Sequence, residues 1–324
     1  MTWLTTIWAE ARRAPVLALV WAAAAALVIY VFVTGGYLIA VLHFAAIYVV
    51  FVTGLNIFMG FAGQVSFGHN AFAAISGYSS AVLTATHGWE PLPAAAFGIV
   101  AALVCALIVG YPTLRLRGHY LAMATLAIGL IIYEVAVQWQ SVTQGYMGIS
   151  GIPPIGIGRF AVTSDRAILI FLIAVAALGV AAAAGIRHSR LGRAFVAIAG
   201  SEDAACALGI DVARYKLAAF LISAFYAAVA GSLFVHAVGF VSPEVYGLHM
   251  VVLAFTMLYV GGIGTVAGAA LGALMIGILP ETVRRFSEYQ DLAYGALLIL
   301  ILIYAPGGLA SLSRLSTRKT KEDA

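Results

Sequence analysis

The chain has 324 residues, 63% of them hydrophobic and only 9% charged, with a formal net charge of +4. Soluble domains carry about 25% charged residues, so this chain cannot clothe a water-facing surface, and most of its exterior must meet hydrocarbon. Its basic residues are too sparse to track nucleic-acid phosphates, and its two cysteines, Cys105 and Cys206, make no disulfide framework.

A helix needs about 20 mostly apolar residues to cross a bilayer. Arg12 and Arg13 precede the first such run, 14–33. It exceeds the roughly 7–15 residues of a signal-peptide core and is expected to be a retained span. Further runs follow at 38–59, 61–86, 92–112, 119–138, 167–186 and 215–238. Two shorter runs, 248–262 and 264–280, flank "YVGGIGTVAG", where a single kinked helix is the alternative, and a last run covers 291–305. The expectation is an all-α, polytopic integral membrane protein with about ten membrane-embedded helical segments, forming one transmembrane domain over 1–324. With a cytoplasmic N-terminus and strict alternation, thirteen Lys and Arg fall inside and four outside, namely Arg159, Arg166, Arg284 and Arg285. That bias follows the positive-inside rule and predicts that both termini are cytoplasmic. Glu281, Glu288 and Asp291 surround the discordant Arg284 and Arg285 and offset their charge.

Residues 61–86 are long enough to cross, yet they open with Gly63, Gln64, Ser66, Gly68, His69 and Asn70. Interrupted helices expose free amides and carbonyls and recur at transporter sites. Gln64, Ser66, His69 and Asn70, with Asn56 upstream, are therefore candidate residues of a translocation path. The competing reading is hydrogen bonding between helices of the bundle. Glu134 is a further candidate, because a carboxylate at the centre of a span costs roughly 2.5–3.5 kcal/mol on insertion scales. It lies about one turn from the outer end of its run and can alternatively reach the headgroups. Residues 139–165 form the longest extracytoplasmic loop, too rich in Gly and Pro for long helices. An ordered lip, a docking surface and a plain connection all fit it.

Residues 187–214 form the longest internal cytoplasmic loop. Ser201 suits a helix N-cap, Glu202 and Asp203 suit the first turn, and Gly209 suits a left-handed end. The resulting helix of about seven residues is too short to stand alone in water. Its alanines and Cys206 offer a smooth face. Either it is a rigid knob inserted into another protein, or it is a short interfacial helix joining two spans.

Residues 262–267, "GIGTVA", match a dinucleotide-binding pattern but lack the strand that pattern requires. Gly264, Gly268 and Gly272 recur every four residues and are expected on one packing face. Lys216, Lys319 and Lys321 are the only lysines, and none follows a phosphate-binding loop. His119 and Glu134 stand about 22 Å apart by helical rise. No metal site, cofactor site or nucleophile–base pair is expected, hence no enzyme.

The segment "SEDAACALGI" resembles the cytoplasmic coupling segment of ABC importer permeases, with its Glu-Ala-Ala-x-x-x-Gly pattern falling on Asp203, Ala204, Ala205 and Gly209. Asp replaces Glu, and the Ile-x-Leu-Pro element of the wider superfamily is absent. The branched-chain amino acid permeases of the LivM type are more similar still. Gly192, Arg193, Ala194 and Ile198 fit their lead-in, and Ala204–Ile210 fit the rest. "GFAGQVSFGHNAFAAISGY" (60–78), "LRLRGHYLAMATLAIG" (114–129) and "GGIGTVAGAALGA" (261–273) resemble three further blocks. His119 stands where the family often has an acidic residue. The resemblance implies the non-catalytic permease subunit of an ATP-driven importer in a bacterial inner membrane, with branched-chain amino acids as cargo. It also implies a homologous second permease subunit, two cytoplasmic ATPase subunits and an extracytoplasmic substrate-binding protein. Ser201, Glu202, Asp203, Ala204, Ala205 and Gly209 would then meet the ATPase. A urea or short-chain amide permease is the alternative within the family. A secondary transporter or channel independent of ATPase subunits is the alternative from another class.

Overall fold

The computed structural model describes residues 36–157, 160–162 and 164–282, together with Leu292, Gly295, Ala296, Ile299, Leu300 and Ile303. The expected first span at 14–33, both termini, Arg159, Arg284 and Arg285, and all but those six residues of 291–305 lie outside them. The described residues form eleven α-helices and only four two-residue strands. The fold is all-α and polytopic.

Helix α1 (Tyr37–Asn56) runs into a π-helical turn (Ile57–Phe61), and residues 62–68 break the helix before α2 (His69–Ala85). Helices α3 (Pro91–Thr113) and α4 (His119–Gln138) follow. A cap over one end of the bundle holds short α5 (Gln140–Thr143), a 3₁₀ turn (Gly145–Met147), β1 (Ile149–Ser150), β2 (Gly156–Ile157) and β3 (Phe160–Ala161). Next come α6 (Asp165–His188), α7 (Arg190–Gly200), α8 (Glu202–Ala207) and α9 (Val212–Val238). Strand β4 (Phe240–Val241) and a 3₁₀ turn (Pro243–Tyr246) lead to α10 (Leu248–Gly261) and α11 (Val266–Thr282).

Among the described residues five helices are long and apolar enough to cross a membrane: Leu38–Phe61, Pro91–Thr113, His119–Gln138, Asp165–His188 and Val212–Val238. Helices α10 and α11 are apolar but shorter, and α2 is of similar length but more polar, the three spanning about 21–26 Å by helical rise. Burial sorts the five into two layers. The spans of α1 and α9 are 72% and 67% buried, whereas those of α3, α4 and α6 are 28–33% buried. The first two are the core, and the others form its outer wall.

Small residues let the core helices approach closely. Gly231 of α9 lies against the Ala73 backbone of α2, with no room for a Cβ. Beside it, Ser76 and Ser232 hydroxyls meet at 2.6 Å, and Ser80 Oγ meets His236 Nε2 at 2.7 Å. Without a hydrophobic drive between helices in lipid, such contacts supply the packing and polar attraction.

The ambiguous "YVGGIGTVAG" is a tight turn between two helices. Gly261 packs on Gly268, and Gly272 packs on Met257 and Gly261, so α10 and α11 run antiparallel. This corrects one expectation: Gly268 and Gly272 share a packing face, but Gly264 does not. It sits in the turn at φ +80°, because a reversal this tight takes residues that α11 would otherwise use.

The described residues of 139–165 pack against the bundle. Strands β1 and β4 pair antiparallel with Ile149 opposite Val241, Ile149 and Ile152 are buried, and His236 Nδ1 lies 2.8 Å from the Pro153 carbonyl. Where the residues of 187–214 predict one helix, there are two, α7 and α8. Ser189 caps α7, accepting from Gly192 N at 3.3 Å, and α7 buries Ala194, Phe195 and Ile198.

Candidate functional site: a helix break tied to a short capped helix

Helix α8 owes its existence to its ends. Ser201 is extended, and its Oγ accepts from Ala204 N at 3.2 Å. Glu202 and Asp203 occupy the first turn, where exposed N–H groups favour negative charge. At the other end Gly209 has φ +82°, which allows Ile210 N to donate to Ala205 O at 3.0 Å. Asp211 then caps α9, accepting from Arg214 N at 3.2 Å. Two capped helices are thereby joined by a short stiff corner.

Ala205 faces the bundle, while Asp203, Ala204, Cys206, Ala207 and Leu208 face outward. Leu208 corrects the expectation of a smooth surface: it is 81% exposed. A bulky apolar anchor projects there.

Glu202 points inward. Its Oε1 accepts from Gln64 Nε2 at 3.0 Å and pairs with Lys216 Nζ, while Arg117 Nε stands 3.5 Å from Oε2. Lys216 is 3% exposed, and Arg117 also reaches Asp203 Oδ1 at 3.5 Å. Burial works against the charge on Glu202, but Lys216, Gln64 and Arg117 outweigh it and hold the carboxyl below the ordinary carboxylate value. A buried ammonium survives only beside such a partner.

Gln64 belongs to the break. At Gly63, φ is +66°, and a side chain there would press on Ala199 of α7. Gln64 N donates to Phe58 O in the π-helical turn at 3.1 Å. Asn56, Gln64, Ser66, His69 and Asn70 are all buried around this break, but their tasks differ. Asn56 Nδ2 donates to Thr265 O at 2.9 Å and its Oδ1 accepts from Gly264 N at 2.8 Å, which clamps the α10–α11 turn. Ser66 Oγ and His69 Nδ1 share a hydrogen bond of 2.9 Å, and the His69 ring lies among Phe58, Phe72 and Phe220. Asn70 Nδ2 donates to Tyr246 O at 2.7 Å. His69 Nε2 and Asn70 Oδ1 are buried without a hydrogen-bond partner.

The family described as "branched-chain amino acid transport system / permease component" matches residues 37–303, a stretch that contains the break, α8 and the α10–α11 turn. The chain belongs to this family. The permease is 34% identical over 294 residues to the high-affinity branched-chain amino acid transport system permease protein LivM of Escherichia coli K12, covering 83% of this chain and 68% of that one. It is 31% identical to LivH of the same organism (81% and 90% covered) and 29% identical to BraD of Pseudomonas aeruginosa (81% and 91% covered). No solved structure matches it. It is a non-catalytic, multi-pass permease component of the bacterial inner membrane.

Glu134 is not brought to the break. It lies exposed on α4 and accepts from Gln138 Nε2 at 2.8 Å. Among the described residues no group of three His, Cys, Asp or Glu is placed to hold a metal. Lys216 and Arg117, two of the thirteen cations that the charge bias places inside, are the partners of Glu202 that the sequence did not reveal. A lone lysine five residues into an apolar helix was the available signal for the first. Nothing local distinguished Thr125, whose Oγ1 accepts from Phe67 N at 3.1 Å, or Tyr246.

Proposed function

We propose that this permease forms part of the membrane pathway of an ATP-driven importer for branched-chain amino acids. It pairs with a homologous second permease subunit. Two cytoplasmic ATPase subunits grip the coupling segments, and an extracytoplasmic substrate-binding protein delivers the cargo. In this reading 187–214 is cytoplasmic, 139–165 is extracytoplasmic, and about ten embedded segments leave both termini inside. The exposed faces of α3, α4 and α6 meet lipid or the second permease.

The observation that carries the reading is the form of α8. It is capped at both ends, rooted by Glu202 and Ala205, and outward-facing at Asp203, Ala204 and Leu208. A rooted knob transmits force, whereas a loose connector would not. The relatives named for branched-chain amino acid transport support the cargo. Such a cargo is a zwitterion, and its two charges need polar contacts in exchange for water. His69 Nε2 and Asn70 Oδ1 are the unengaged polar atoms that the break offers, and Glu134 is the carboxylate of the outer wall.

Replacing exposed Ala204 by Trp tests the coupling while sparing buried Ala205. Capture of ATPase subunits on the tagged permease should fall sharply, and leucine uptake with it. Unchanged capture and uptake would favour a transporter that works without an ATPase. In the reconstituted wild-type complex, labelled leucine should be taken up. Saturable urea uptake without leucine uptake would replace the cargo.

A further inference from the structure

We infer that the hydrogen bond between Gln64 and Glu202, maintained by Lys216, is the contact through which α8 controls the helix break at 62–68. Gln64 and Lys216 are then positioning residues that touch neither nucleotide nor cargo. This inference rests on the coupling role proposed for α8 and adds its route into the membrane.

Three features lead to it. First, the break sits directly on the cytoplasm-proposed helices: Gly63 abuts Ala199, two residues before the Ser201 cap. Second, residues 62–68 lie outside regular helix, so they resist displacement less than the helices on either side. Third, Gln64 leads onward. Its backbone joins the π-helical turn through Phe58 O, and Asn56 just before that turn holds Gly264 and Thr265. Moving Glu202 by the length of one hydrogen bond either drags Gln64 or releases it.

The chemistry suits a joint that opens and closes. Asn56 bonds to backbone atoms in the interior, where an unmade bond is costly. Glu202 has a second partner in Lys216, so releasing Gln64 leaves the carboxylate still paired. Lys216, nearly inaccessible on α9, pairs with the carboxylate and helps to keep it ionised. Coupling between sites requires two arrangements of one segment that α8 can bias, and this contact is where α8 reaches 62–68.

The test uses the full complex in proteoliposomes, with leucine uptake and ATP hydrolysis measured together and ATPase capture measured beside them. For Gln64→Leu, capture and ATP hydrolysis should stay within about twofold, while leucine taken up per ATP falls roughly tenfold, the scale of one charge-assisted hydrogen bond. Gln64→Glu opposes two carboxylates and should fall as far. Adding Glu202→Gln to Gln64→Glu exchanges amide and carboxylate, leaves one negative charge for Lys216, and should restore the ratio. Wild-type uptake per ATP in either single variant overturns the inference, as does failure of the exchange to restore it. Loss of capture in Gln64→Leu also overturns it, since the contact would then merely hold α8 in place. A wild-type complex that imports leucine without any ATPase defeats the importer reading instead.

Discussion

Two amide side chains, Asn56 ahead of the helix break and Gln64 within it, are built for opposite purposes. Asn56 spends its donor on Thr265 O and its acceptor on Gly264 N, both backbone atoms, from a position 1% exposed. Gln64 donates to a carboxylate on another element, beside a lysine able to keep that carboxylate without it. Gly264 N has no substitute for Asn56, whereas Glu202 has one for Gln64 in Lys216. A polar group inside a membrane bundle can thus be a weld or a latch, according to whether its partner has an alternative.

Asn56→Leu gives the largest expected effect. It strands the Gly264 N–H in the bundle at about 1–3 kcal/mol, while Thr265 O keeps Ala269 N, and thermal unfolding in detergent should report a loss of about 1–3 kcal/mol. Gln64→Leu should cost only about 1 kcal/mol by the same measurement, since Glu202 keeps Lys216. Equal losses would erase the distinction between the two amides. Gly60→Ala sharpens it from the other side, because a methyl there meets Asn56 Oδ1 and Gly264 N. Overpacking of this kind costs about 1–3 kcal/mol and should loosen the α10–α11 turn, read as faster proteolysis near 262–265.

Acid distinguishes the two contacts further. The folded state holds the Glu202 carboxyl below its ordinary value, so the ionised form is the one stabilised. Its contribution is fully present above the unfolded value of about 4.3 and is lost as pH falls through the lower folded value. The stability difference between wild type and Glu202→Gln should therefore hold from pH 7 to about 5 and shrink below about 4. Asn56→Leu should show a pH-independent deficit over that range. Glu134→Gln should give the smallest effect, within about 0.5 kcal/mol, because its carboxylate is exposed and its neighbour is Gln138.

Local elements were legible in the residues. Ser201, Glu202, Asp203 and Gly209 define α8 within ten residues, because caps and left-handed ends act over a single turn. The break at 62–68 was readable from Gly63, Gln64, Ser66 and Gly68, although His69 and Asn70, read together with them, begin α2. Helix α7 was missed although Phe195 and Ile198 carry an i,i+3 pattern, since its arginines had been read for sidedness alone. Gly264 was misplaced because a period of four does not say where a helix starts. The partners of Asn56 and Asn70 were out of reach, being backbone atoms near residues 264 and 246.

Composition alone determined that this chain lives in a membrane as a bundle of helices, since so few charges leave hydrocarbon as the only solvent for its exterior. Sequence motifs likewise determined its family and the short capped helix, both of which depend on neighbouring residues. Only the tertiary structure decided which polar residues are fixed and which are exchangeable. That property belongs to a side chain together with its partner, and here the partners come from elements that the chain brings together only when the helices pack.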